Sequence, residues 1–131
     1  MRDRPGGAEL LWQAREVVLR ELLQHLPEEK KYDGLMIGAA MATAARELEA
    51  GEAPLRRAHA DLSEVYGESA MQPSEAVALE EELLQLFSRL AQDIRAGRLD
   101  ADGRMHALLR DLTIDKLRES NPKLLTAREI P

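Results

Sequence analysis

The run Leu35 to Ala45, LMIGAAMATAA, limits what this chain can fold into more than any other segment. It holds eleven residues with no charge and only one polar side chain, Thr43. Alanine, the best intrinsic helix former, supplies much of it. The spacing therefore predicts a helix from about Asp33 to Ala50, closed by Gly51 as a left-handed cap. A helix that is apolar all round has to be enclosed by protein or by lipid. Eleven residues fall well short of the roughly 20 that cross a bilayer. The expected surround is protein, with this helix as the central axis of the domain, buried on nearly every side. Gly38, Ala42 and Ala45 repeat at intervals of four and three, so they share one face. With so little side chain there, a neighbouring helix can approach closely.

Helical periodicity extends along the rest of the chain. A first helix is expected from about Ala8 to Leu26, with Leu10, Leu11, Ala14, Val17, Val18, Leu22 and Leu26 as its apolar stripe. Pro27 ends it, because the residue before a proline avoids the helical region. Glu28 to Lys31 then reads as a short polar connection. A third helix is expected from Pro54, a favoured first-turn residue, to Gly67. A fourth runs from about Glu75 to Ala96, with Ser74 as a suitable cap. Its stripe is Ala76, Leu79, Leu83, Leu86, Leu90 and Ile94, broadened by Leu84, Phe87 and Ala91. Asp100 or Asp102 caps a fifth helix, which reaches Ser120 before Asn121-Pro122 stops it. The tail from 123 to 131 keeps Leu124, Leu125 and Ile130 and is expected to dock, whereas residues 1–7 are expected to be flexible. No strand-like alternation is present, and the connections are short, which favours antiparallel neighbours. The expected fold is all-α: one domain over residues 1–131, an up-and-down helical bundle of about five helices around the Ala/Gly-rich one.

Composition removes several classes of function. The chain has no cysteine, so disulfides, thiolate metal sites and cysteine catalysis are excluded. Cysteine-free composition fits a reducing cytoplasm. MRDRPGG carries no apolar core of a secretory signal, and no segment is long enough to span a membrane. The net charge is −6, concentrated in residues 61–97, where eight acids face only Arg89 and Arg95. An acidic chain with four aromatic residues repels phosphate backbones and offers little for base stacking. The expectation is therefore a cytoplasmic protein that binds no nucleic acid and no membrane.

Chemistry-bearing constellations are few. His25, His59 and His106 are the three histidines, read as surface or half-buried, and none stands in a Glu-x-x-His arrangement on a helix. Asp100-x-Asp102-Gly103 places glycine two positions too early for a calcium loop, and helix capping explains both aspartates. No metal site, cofactor or catalytic residue is expected. Arg56 and Arg57, beside His59, are candidates for an anion, against pairing with nearby glutamates. Arg46 and Glu47 mark where the apolar helix turns polar. A semi-buried charge is costly unless paired, so Arg46-Glu47 is expected to link to Lys30, Lys31 or an acid of the fourth helix. Trp12, the sole tryptophan, either closes the edge of the core or anchors a partner.

The stretch YDGLMIGAAMATAAREL from Tyr32 to Leu48, followed by Glu49-Ala50-Gly51, resembles a family of small, functionally uncharacterised bacterial domains. So does the closing pattern Lys116-Leu117…Asn121-Pro122-Lys123. An asparagine is common in that family where this chain has Ala39. Tyr32 and Asn121, within these stretches, join the candidate ligand or partner residues. The resemblance implies an accessory role, because members are encoded beside or fused to kinases resembling aminoglycoside phosphotransferases, and near acyl-CoA dehydrogenases. The expected function is a non-catalytic helical module that binds such a partner protein or a second copy of itself. The alternative is a bundle that holds an acyl-type or anionic small molecule, gated by Arg46 or Arg56.

Overall fold

In a computed structural model, which describes residues 4–69 and 71–131, the first two helices meet at Pro27 with no linker between them. Helix α1 spans Gly7–Val17, with the Glu9 carboxylate accepting the Gly6 N–H at 2.7 Å. It continues as a π-helical turn, Val18–Leu22, and a 3-10 turn, Leu23–His25. Pro27 then caps α2, Glu28–Ala50. The stretch expected as a polar connection is thus the first turn of α2. Glu28 and Glu29 suit the positive end of the helix dipole there, and Lys31–Glu28 and Lys30–Asp33 pair one turn apart. Part of the expected flexible N-terminus, residues 1–3, lies outside the described residues.

Helix α3 covers Ala53–Val65 and ends where Gly67 takes a φ of 64°. Helix α4 covers Ala76–Arg95, with Glu75 rather than Ser74 at its cap, and α5 covers Gly103–Ser120. The Asp102 carboxylate caps α5, accepting the Arg104 N–H at 2.9 Å. The tail, expected to dock, is itself partly helical. Pro122 starts a short α6, Pro122–Ala127, which buries Leu125. The protein is all-α, 78% helical, with no strand among the described residues.

The packing divides into two compact units, one running up to Gly51 together with Leu117–Pro131, the other comprising Glu52–Lys116. In the first, α1 lies along α2. The face of α2 that meets it is Gly34, Gly38, Ala42 and Ala45. A side chain at Gly34 would strike Leu23 and Leu26, and one at Gly38 would strike Leu19, each at 2.8–2.9 Å. Leucines from one helix fill the space that the glycines of the other leave open. The close approach expected from the small residues is present, but burial on nearly every side is not. Leu35, Met36 and Ile37 are each about half exposed, and Tyr32 more so. The partner stripe on the first helix is also displaced from the expected one. Leu19 and Leu23 are drawn inward, and Leu10, Val17 and Leu22 face outward. The π turn inserts a wider step in the helix at that point, and a strict 3.6-residue period does not anticipate it.

The second unit has a conventional apolar core. Ala58 and Leu62 of α3, Leu79, Leu83, Leu86 and Leu90 of α4, and Met105 and Leu108 of α5 form one cluster. Leu84 and Phe87, expected to broaden the α4 stripe, are exposed, as is Ile94. The four core leucines alone complete the face of α4 that packs inward.

Candidate functional site

Two of the candidate residues come together in the first unit. Trp12 stands on α1 and Arg46 on α2, with the Arg46 guanidinium 5.7 Å from the indole centroid. Arg15, one turn beyond Trp12, lies 5.9 Å from the same ring. Cations at these distances are attracted by the ring's π face. The indole N–H donates to the Glu49 carboxylate at 2.7 Å, which ties α1 to the last turn of α2. Arg46 does not find the expected partners Lys30, Lys31 or an acid of α4. Its Nη1 donates instead to the Glu119 carbonyl at 2.7 Å. A half-buried guanidinium is satisfied there by a ring face and a helix-end carbonyl, which carries partial negative charge. Arg15 Nε is buried and has no hydrogen-bond partner among the described residues.

The outer face of α2 runs away from this cluster. Tyr32, Leu35, Met36, Ala39, Ala40 and Thr43 repeat at three and four residues, opposite the buried glycine–alanine stripe. Relative exposures are 69% at Tyr32, 51% at Leu35 and 49% at Met36. No charge interrupts the helix between Asp33 and Arg46, and Glu47 sits exposed at the far end of the face. Asn121, at the start of α6, is exposed as well.

The remaining candidates, Arg56 and Arg57, serve the second unit's own structure. Arg56 grips Glu52 through Nε and Nη2 at 3.1 and 2.6 Å, and its Nη1 donates to the Pro73 carbonyl at 3.1 Å. Gln72 returns a bond to the Arg56 carbonyl at 2.7 Å. Arg56 thereby fastens the end of the α3–α4 loop to the start of α3. Arg57 pairs with Asp115 of α5 at 3.2 Å.

The second unit also holds a cleft that no motif in the sequence marks. His59, expected at the surface or half-buried, is 3% exposed, and its Nε2 lies 2.8 Å from the Glu82 carboxylate. Ser63, 2% exposed, sits 3.5 Å from His59 Nδ1. A cleft of about 480 Å³ is bordered by these residues together with Met71 and Arg89. The position of His59 is legible in hindsight, since Leu55, Ala58 and Leu62 define a face that includes 59 and 63. Hydroxyl, imidazole and carboxylate stand in the order that a nucleophilic site uses. Their exposure runs the wrong way, however, because the carboxylate is open to solvent and the hydroxyl is buried. The trio joins α3 to α4. Beside it, Arg89 pairs with Glu68 and stacks 3.9 Å over the Tyr66 ring. The Tyr66 hydroxyl donates to Asp93 at 2.9 Å. Burial raises the Tyr66 hydroxyl above its ordinary 10.0, with Asp93 adding to the effect. The hydrogen bond from Arg98, then that from Tyr66, hold Asp93 below its ordinary 3.8.

Among the described residues no group of three His, Cys, Asp or Glu side chains is placed to hold a metal ion, and no helix is long and apolar enough to cross a membrane. No curated protein and no solved structure matches the chain. Residues 24–124, which include the whole of α2 and the second unit, match the profile of DUF6285, a domain of unknown function, and the chain belongs to that family.

Proposed function

We propose that this chain is a non-catalytic accessory module that docks on a partner protein through the outer face of α2. The observation that carries the reading is the half-used apolar run. Residues 34 to 45 are uncharged, yet only one stripe of them is buried, leaving Leu35, Met36 and Ile37 half exposed, with the exposed Tyr32 just ahead of them. Large apolar side chains gathered on one helix face lose stability in water and gain it against a second apolar surface. The helix-in-groove mode, with anchors at three- and four-residue spacing, suits such a face. What favours docking over a ligand held against the central helix is the filling of its small-residue groove by Leu19, Leu23 and Leu26. Arg46 and Arg56, the expected gates, are occupied with Glu119 and with Glu52 and Pro73.

The partner we propose is one of the enzymes implied by the resemblance: a phosphotransferase-like kinase or an acyl-CoA dehydrogenase, met in the cytoplasm. The test is co-expression with the kinase and the dehydrogenase encoded nearest to it, followed by co-purification. The native chain is expected to hold one of them. Met36→Glu and Leu35→Asp are expected to release it while leaving helicity and melting temperature unchanged. A native chain that retains neither enzyme contradicts the proposal, and so does a complex indifferent to both substitutions.

A further inference from the structure

Helix α2 carries five carboxylates, and three of them are matched within the chain. Lys31 pairs with Glu28 at 2.6 Å, Lys30 with Asp33 at 3.1 Å, and the Trp12 indole donates to Glu49 at 2.7 Å. Glu29 and Glu47 are exposed and have no ion pair or side-chain hydrogen bond among the described residues. Both stand on the outer face. Glu29, Tyr32, Met36, Ala40, Thr43 and Glu47 follow one another at intervals of three, four, four, three and four, a single line along the helix. Eighteen residues separate the two carboxylates, which is five turns or about 27 Å. Glu29 has a local use, since it sits in the first turn at the positive end of the helix dipole. Glu47 has none. It lies in the last turn, where the dipole disfavours a carboxylate and no basic residue stands. A residue that breaks a local rule without compensation inside the fold is one whose use lies outside it.

We infer that the partner meets α2 with an apolar groove that carries a lysine or arginine near each end, about 27 Å apart, facing Glu29 and Glu47. This rests on the outer face of α2 being the docking surface, and it adds the charge of what covers that face. The middle of the line suits an apolar groove. Tyr32 and Met36 are large, Ala40 is small, and the Thr43 hydroxyl donates to the Ala39 carbonyl at 3.2 Å, so covering it strands no donor. Carboxylates at the rim weaken association unless cations meet them, and matched they fix the register of the helix in the groove. A second copy of this chain does not supply the match. The cations of α2 are Lys30, Lys31 and Arg46; none stands on the line, and each is already bonded, Arg46 to the Glu119 carbonyl. Two outer faces laid together bring four carboxylates and no cation, whichever way the helices run.

Two synthetic helical peptides, titrated calorimetrically into the full chain, test this. Both carry a leucine stripe of about five turns; one has a lysine at each end of the stripe and the other a glutamate. The native chain is expected to bind the lysine-ended peptide about tenfold more tightly, with the preference shrinking as salt rises. Glu29→Lys combined with Glu47→Lys is expected to invert the preference. Glu64→Lys combined with Glu81→Lys, the same change of net charge at exposed positions of the second unit, should leave it intact. Glu47→Lys alone should hold or raise the melting temperature, because the helix end loses a misplaced acid. Met36→Glu should release both peptides. Equal binding of both peptides, lost with Met36→Glu, overturns the charge assignment while the docking face stands. A lysine-ended peptide indifferent to Met36→Glu binds elsewhere and overturns both. Binding of neither peptide overturns the inference, as does a preference that moves equally with Glu64 and Glu81 or a melting temperature lowered by Glu47→Lys.

Discussion

Gly38 and Leu19 show how a single missing side chain sets the distance between two helices. An added methyl at Gly38 would lie 2.9 Å from Leu19 Cδ2 and 3.2 Å from its Cγ. Gly38→Ala should therefore come out near neutral, because the roughly 1 kcal/mol of helix propensity it gains offsets the shift forced on Leu19. Gly38→Leu has no such compensation and should cost about 1–3 kcal/mol by overpacking, read from urea denaturation. Arg46→Met tests the Trp12 cluster. It removes the bond to the Glu119 carbonyl and the contact with the indole, for an expected loss of about 1–3 kcal/mol. His59→Ala should be worse, about 2–4 kcal/mol, since it opens a buried cavity and strands a hydrogen-bonding neighbour. Ser63→Ala should cost under about 1 kcal/mol, because its contact with His59 is long. A Ser63 effect as large as that of His59 would assign the hydroxyl a role beyond packing. His59 lies deeper than the surface or half-buried place expected of it for a physical reason: its spacing with Ala58 and Leu62 points inward, and spacing prevails over residue type.

At the scale of the helix, neighbours along α4 separate the two faces cleanly. Leu83→Ala should cost about 2–5 kcal/mol and Leu84→Ala under about 0.5 kcal/mol, although the residues are adjacent. The C-terminal part of α4 also carries the acid sensitivity of the second unit. Asp93 titrates below its ordinary 3.8 when folded, chiefly through Arg98 and then Tyr66. A carboxyl with a lowered folded pKa stabilises the fold above its unfolded value and loses that contribution as pH falls through the folded one. Stability should accordingly drop as pH goes below about 4, and Asp93→Asn should flatten part of that drop in melting-temperature profiles. Tyr66 works in the opposite direction. Its raised pKa gives a contribution complete below pH 10.0 and lost as pH rises through the folded value.

Several helix ends were legible in the sequence because they depend on local chemistry, although the start of α2 at Glu28 and the short α6 were not. Pro27, Gly51, Gly67 and Asp102 stop or start helices through their own backbone or side-chain preferences. Which side of a helix is buried was less legible. The run from Gly34 to Ala45 is apolar in every direction, so periodicity contains no signal for a face. In α1 the π turn shifted the inward stripe onto Leu19 and Leu23. The Trp12–Arg46 pairing depends on residues from two helices, and no spacing within either one reveals it.

For the whole molecule, the all-α fold and the membership in DUF6285 are shown, and the proposal to be tested is that α2, one face of which packs on α1, offers its exposed face to a partner. Methionine oxidation of the isolated native chain, resolved by mass spectrometry, tests this most directly. Met36 is 49% exposed and Met71 85%, against 2% for Met105 in the core. Met36 should therefore oxidise with Met71, at least an order of magnitude faster than Met105, and become protected when a binding partner is added. A Met36 as slow as Met105 in the isolated monomer would contradict the account, since the face would already be covered.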